Sequence, residues 1–173
     1  MNFSINSKRL RIRQFEPDDV EDFVSFMVDP DSTQFLAFEE AQKNRKGATE
    51  LLFTTIDSYA SATPFMAYAI EERTSGKFAG FCGLTPREEG EVEIMYAIMP
   101  NFRSKGYAAE AASRLAQYAV DQLGYRRVIA PISPNHVVSK AVAAKAGFDD
   151  HGLRKSLQSS EKIHLYVYEK KDS

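Results

Sequence analysis

Between two strand-like segments, Glu91–Met99 and Arg127–Pro131, the chain sets Ala108, Ala111, Ala112, Leu115, Ala116, Ala119 and Leu123 at roughly helical spacing. A helix with a stripe of small side chains can lie close against a sheet. A helix of this length is also the usual crossover between parallel strands, because a tight hairpin returns the chain antiparallel. The two flanking segments are therefore predicted to run parallel, and Gly124 is placed to cap the helix at its C-terminus.

The rest of the chain reads around that unit. Arg9-Leu10-Arg11-Ile12-Arg13-Gln14-Phe15 alternates charged and apolar residues as a half-buried strand does. Pro17-Asp18-Asp19 marks a helix start, with Val20, Phe23, Val24 and Met27 as its apolar stripe. A second helix is expected within Glu39 to Tyr59, and Gly47 argues against its continuity. Phe65–Glu72 and Lys77–Leu84 read as strands joined at Thr74-Ser75-Gly76, and Glu88-Glu89-Gly90 turns into the Glu91 strand, which predicts an antiparallel meander. A shorter helix ends at Lys145-Ala146-Gly147-Phe148, and Asp149–Leu157 and Lys162–Glu169 complete the strands. The expected class is α+β (mixed α/β), with helices around one sheet. At 173 residues, with 43% hydrophobic residues and 12 Phe, residues 1–173 are expected to form one domain.

Composition narrows the chemistry. A formal net charge of −2 provides no global field for nucleic acid, although Arg103 and Lys105 make a local basic patch for a small anion. The single Cys82 excludes an intrachain disulfide framework, and Met1 to Leu10 lacks the apolar run of a signal peptide. No run approaches the about 18 apolar residues of a membrane span. A cytoplasmic protein without nucleic-acid or membrane partners is expected. His136, His151 and His164 are scattered and one cysteine accompanies them, so no metal site is expected.

Arg103-Ser104-Lys105-Gly106-Tyr107-Ala108 joins the Glu91 strand to the alanine-rich helix. Unpaired N–H groups and the positive end of the dipole favour an anion at a helix start, and glycine allows close backbone approach. The spacing is neither that of a Walker loop nor that of a dinucleotide fold. On these residues alone, a solvated turn with an ordinary cap is the competing reading.

Glu93-Ile94-Met95-Tyr96, the Arg103–Ala108 loop with Ala109-Glu110-Ala111, Gly80-Phe81-Cys82-Gly83-Leu84 and Lys145-Ala146-Gly147-Phe148 together resemble the GNAT superfamily of acetyl-CoA-dependent N-acetyltransferases, in its RimJ/RimL-like branch. The resemblance runs through nearly the whole chain. It implies a mostly antiparallel sheet of about seven strands, splayed between the fourth and fifth, flanked by about four helices. The pantetheine arm of acetyl-CoA would lie in that gap, and Arg103, Ser104, Lys105, Gly106, Tyr107 and Ala108 would hold the diphosphate. Ile98 is the candidate for pairing with pantetheine; otherwise it is a core residue, with Pro100 ending the strand.

Acetyl transfer to a primary amine needs a base, because an amine of pKa roughly 8 to 10 is mostly protonated at neutral pH. The resemblance makes Glu93 the candidate, directly or through a water; an exposed or substrate-binding carboxylate is the alternative. Many relatives place a tyrosine acid four residues before the glycine of the Gly-Phe pair, where this chain has Ala143. Ser139 matches a serine typical of the branch and is a candidate to meet the sulfur or the pantetheine; its alternative is a helix N-cap. The branch's asparagine position holds His136, with Asn135 one residue earlier, so Asn135, His136 or plain turn chemistry fits there. Met95 replaces the branch's strand glycine and either narrows the acceptor channel or fills a core gap. Phe35, Phe38 and Tyr59 are candidates for the acceptor wall or for core, and Cys82 reads as a small buried residue rather than a nucleophile.

The expected function is transfer of acetyl from acetyl-CoA to a primary amine, a protein N-terminus or a small molecule, in a ternary complex, by a monomer or homodimer and without a metal. Two other readings stand beside it: a CoA-binding sensor or interaction module, favoured by Met95 and the shifted asparagine, and a site for another phosphorylated ligand.

Overall fold

A computed structural model describes residues 2–171. In chain order its elements are β1 (Ser4–Asn6), β2 (Leu10–Arg13), α1 (Val20–Met27), α2 (Pro30–Thr33), α3 (Arg45–Ser58), β3 (Met66–Glu72), β4 (Phe78–Pro86), β5 (Glu91–Ile98), α4 (Tyr107–Asp121), β6 (Arg127–Ile132), α5 (Val137–Lys145), β7 (Asp149–Lys155) and β8 (Lys162–Glu169). The strands follow the order β1-β2-β3-β4-β5-β6-β8-β7. β5 and β6 are parallel, as the crossover helix required, and the pairs β1–β2, β2–β3, β6–β8 and β7–β8 are antiparallel.

Two counts differ from expectation. The sheet has eight strands rather than about seven, because three-residue β1 is too short to show a period and is made a strand by pairing Ile5 with Ile12. The described residues form five α-helices rather than about four, the extra one being the single turn α2, which Pro30 opens.

The chain divides into two compact units, Met1–Cys82 with Ala97–Lys105, and Gly83–Tyr96 with Gly106–Ser173. In the first, Leu10, Ile12, Met27, Leu52 and Ile70 are fully buried, and Phe81 meets Phe23 and Phe26 edge-on at 5.2 and 4.9 Å between ring centres. Buried among them, Arg13 forks onto both carboxylate oxygens of Asp19 at 2.8 and 2.9 Å, and its Nε donates to Glu71 at 2.8 Å. The hydrogen bond to Asp19 leads in raising the Arg13 pKa further, so its charge persists. Burial alone would push the Glu71 carboxyl up, but the bonds from Arg13 and Arg11 outweigh it and hold it below the usual carboxylate range.

In the second unit, Ala111, Ala112, Leu115, Ala116 and Ala119 of α4 are all buried, and the helix packs on β6 and α5. The stripe is shifted from its sequence reading at both ends. Ala108 is half-buried, and Leu123 is 39% exposed because the helix stops at Asp121, with Tyr125 N–H closing back on the Ala119 carbonyl past Gly124.

The β5–β6 ladder is short. Glu91, Val92 and Glu93 face Arg127, Val128 and Ile129, and there the pairing ends, although β5 continues through Ile94, Met95 and Tyr96 and β6 through Ala130 to Ile132. The expected splay between the fourth and fifth predicted strands is thus the parting of β5 from β6, renumbered by the extra strand.

Gly47, expected to interrupt the second helix, lies instead in the first turn of a continuous α3, and its N–H is capped by Asn44 Oδ1 at 2.9 Å. A Cβ at Gly47 would overlap the carbonyl oxygen of Ala41, so glycine is there for close approach of two backbone segments. Gly→Ala inside a helix ordinarily gains about 1 kcal/mol. Here Gly47→Ala is expected to lose about 1–3 kcal/mol in denaturant unfolding, since the Ala41 turn must move.

Candidate active site

Where β5 parts from β6, its polar side chains take separate partners. Glu91 is ion-paired with Arg127 and lies 3.7 Å from Arg126. Glu93, two residues on, receives Arg87 Nε at 2.7 Å and Nη2 at 2.6 Å, both on Oε2, with its side chain 26% exposed. Met95, two residues further along the strand, is half-buried. Tyr96 reaches α5: its hydroxyl is 3.1 Å from Ser139 Oγ and donates to the Ser139 carbonyl at 3.2 Å. Burial pushes the Tyr96 hydroxyl above its usual pKa.

That contact decides one open alternative. His136, not Ser139, occupies the N-cap of α5, and Ser139 is buried in the helix's first turn with its hydroxyl against Tyr96. Tyr96 is a residue to which sequence reading gave no role of its own. Its only signal was an aromatic hydroxyl at the end of Glu93-Ile94-Met95-Tyr96, with nothing to say that α5 lay opposite.

The segment before α5 is turn-like. His136 N–H donates to the Ser133 carbonyl and Val137 N–H to that of Asn135, and Asn135 is exposed. Burial lowers the His136 ring pKa, which favours its neutral form. Ala143 is fully buried, and its carbonyl accepts Phe148 N–H as α5 ends.

The loop carries left-handed backbone at Ser104 (φ 63°) and at Gly106 (φ 81°), which is the N-cap of the 15-residue α4. Glycine adopts this region without the penalty a Cβ brings. Arg103, Ser104 and Lys105 are exposed, Gly106 and Ala108 half-buried, and Tyr107 buried. Helix geometry leaves the first-turn N–H groups of α4 unpaired within the helix, in the place where an anion is favoured. Charge is arranged differently from the sequence picture. The Arg103 guanidinium donates to the Ile98 carbonyl at 3.1 Å and to Ser32 Oγ at 2.9 Å, and Ser32 in turn donates to Asp29 at 2.5 Å. The hydrogen bond from Ser32 leads in holding the Asp29 carboxyl below its usual range. Lys105 Nζ stands 5.3 Å from the centre of the Phe102 ring, and its carbonyl accepts Arg9 Nη1 at 2.8 Å. Ile98 is buried.

Of the other candidates, Tyr59 is structural: its hydroxyl donates to the Ala67 carbonyl and accepts Phe15 N–H, and burial raises its pKa to about 12. Phe38 stands 6.2 Å from Phe81, and Phe35 is 43% exposed. Cys82 is buried and its thiol pushed up by desolvation, the environment of an inert thiol. Among the described residues no group of three or more His, Cys, Asp or Glu is placed to hold a metal, and no helix is long and apolar enough to cross a membrane.

The chain thus combines a strand that leaves its partner, a left-handed glycine at the head of a long helix, and a buried serine in contact with a half-buried tyrosine. Comparison with known proteins identifies the family. Residues 9–149 match the profile of the acetyltransferase (GNAT) domain. The uncharacterized N-acetyltransferase p20 of Bacillus licheniformis is 22% identical over 170 residues, covering 95% of this chain and 93% of that one. A GNAT-family acetyltransferase structure from Bacillus anthracis superposes with a TM-score of 0.81 at 20% identity, covering 96% of this chain and 98% of the other. Mycobacterium smegmatis RimJ in complex with CoA-disulfide gives 0.73 at 15% identity over 92% and 81%. The described architecture is theirs, and the chain belongs to the GNAT acetyltransferase family.

Proposed function

We propose that the chain, acting as one domain over residues 1–173, transfers the acetyl group of acetyl-CoA to a primary amine in a ternary complex. When bound, acetyl-CoA supplies an acyl carbon activated as a thioester. The observation that carries the reading is the early end of the β5–β6 ladder after Glu93 and Ile129, together with left-handed Gly106 opening α4. Backbone amides of β5 beyond Glu93 are not used by β6, so they suit the amides of a pantetheine arm, and the first turn of α4 suits a diphosphate. The residues present therefore fit the group: Ser104, Lys105, Gly106, Tyr107 and Ala108 around the diphosphate, β5 and Ser139 along the arm. Arg103, spent on Ile98 and Ser32, contributes by holding the chain.

Glu93 is the base in this reading. Both bonds from Arg87 fall on Oε2, so proton uptake from the amine runs through Oε1, directly or through a water. Ser139 and Tyr96 put hydroxyl groups on the buried side of the gap, where sulfur leaves; a thiol of pKa roughly 8.5 needs little help from an acid, and Ala143 offers none. Met95 stands on the strand of Glu93 and narrows the path of the acceptor, the amine of a protein N-terminus or of a small molecule. The single buried cysteine suits the reducing cytoplasm.

Saturating acetyl-CoA is expected to raise the melting temperature by about 5 °C or more. No shift would dismiss the donor assignment. Gly106→Val should weaken CoA binding at least about tenfold in calorimetry, because a β-branched residue resists φ near 81° and blocks backbone approach. Thiol release from acetyl-CoA against a panel of amines and N-terminal peptides tests turnover, and Glu93→Gln is expected to cut kcat by about 100-fold at neutral pH with CoA affinity unchanged. The engagement of Glu93 by Arg87 and the alanine at 143 favour a second reading, a CoA-binding sensor, for which acetyl-CoA stabilises the protein yet no acceptor releases thiol.

A further inference from the structure

The Arg9 side chain donates Nη1–H to the Lys105 carbonyl at 2.8 Å, across 96 residues of sequence, and nothing in the motif that identifies the loop refers to it. Arg9 is itself well anchored. It directly precedes β2, its carbonyl accepts Arg73 N–H at 2.9 Å, and the Arg73 side chain ties down the carbonyls of Ser7 and Lys8 at 2.9 and 3.3 Å. The peptide it holds joins Lys105 to Gly106, between the two left-handed residues Ser104 and Gly106. That peptide is trans, so its C=O and N–H point in opposite directions. Fixing the carbonyl towards Arg9 therefore fixes the Gly106 N–H away from it.

We infer that Arg9 is a positioning residue of the diphosphate loop: by holding the Lys105 carbonyl it presets the Gly106 N–H as an anion donor, without itself meeting the ligand. The inference rests on the proposed reading of the loop as the CoA diphosphate site. It also gives Arg103 of the loop and the distant Arg9 a common role. Arg103 holds the Ile98 carbonyl and Arg9 the Lys105 carbonyl, so both ends of the segment are set by guanidinium–carbonyl bonds, and recognition falls to backbone amides rather than to arginine charge. A loop preset in this way binds without the cost of ordering itself.

The test compares CoA with pantetheine, which lacks the diphosphate, by calorimetry on the whole chain at about 50 and about 500 mM NaCl, where screening lengths differ roughly threefold. Arg9→Ala is expected to weaken CoA about tenfold, equally at both salt concentrations, and to leave pantetheine unchanged. The Gly106 amide resonance should move in the unliganded Arg9→Ala protein, and Arg9→Lys should restore most of the affinity. Arg9→Met, which keeps the aliphatic stem, replaces the alanine variant if that one fails to fold. Equal weakening of both ligands would mean that Arg9 only supports the fold, and a loss that vanishes at high salt would mean a direct ion pair; either overturns the inference, as does unaltered CoA affinity. If the unmodified chain binds no CoA, the reading of the loop itself fails. If it binds CoA and Arg9→Ala binds equally well, only the role of Arg9 falls.

Discussion

The structure turns on the place where β5 stops pairing with β6. Parallel strands linked by a crossover helix normally use one another's backbone along their length, and here three residue pairs do so before the strands separate. Backbone donors and acceptors left without a strand partner are costly unless something else satisfies them. This is why the proposed reading gives the continuation of β5 to an extended, amide-bearing molecule. The same strand carries Glu91 and Glu93 where pairing is intact and Met95 and Tyr96 where it is not, so polar chemistry and open backbone adjoin along one element.

Within each unit the charged groups are mostly committed to fixed partners. Glu91 is tied to Arg127, Glu93 to Arg87, Arg103 to Ile98 and Ser32, and Arg13 to Asp19 and Glu71. On the proposed reading, recognition of the anion rests chiefly on fixed dipoles. Those dipoles would be the amides of the left-handed loop and the head of α4, beside which Arg9 and Arg103 are bonded to the carbonyls of Lys105 and Ile98. Such a site would favour a shape that fits the amides, with modest dependence on ionic strength.

Most of the elements were legible in the sequence because their signals are local. The alanine stripe of α4, the alternation in β2, the turns before β4 and β5 and the glycine ahead of α4 each follow from period or backbone preference. The misses have a common cause. β1 and α2 are too short to show a period and exist because neighbours pair with them; Gly47 reads as a helix breaker until Ala41 is seen against it; Leu123 fits the stripe by number but falls beyond the helix. In the site, the loop was singled out as a basic, glycine-containing segment before a helix, and Glu93 and Ser139 were named from the resemblance to the GNAT superfamily. Tyr96 and Arg9 were not, since a tyrosine in a strand and an arginine before one carry no meaning without the partner that each finds 43 and 96 residues away.

What the sequence by itself determined is the order of elements, the parallel crossover and the glycine at which backbone turns left-handed, because these depend on periodicity and on the sterics of single residues. Only the tertiary structure decided which groups spend their hydrogen bonds on each other. It tied the Arg103 guanidinium to the Ile98 carbonyl and Ser32, set Ser139 against Tyr96 and left the helix cap to His136, and brought Arg9 to the Lys105 carbonyl. Those choices rest on distances between residues far apart in the chain, and no local pattern encodes a distance of that kind.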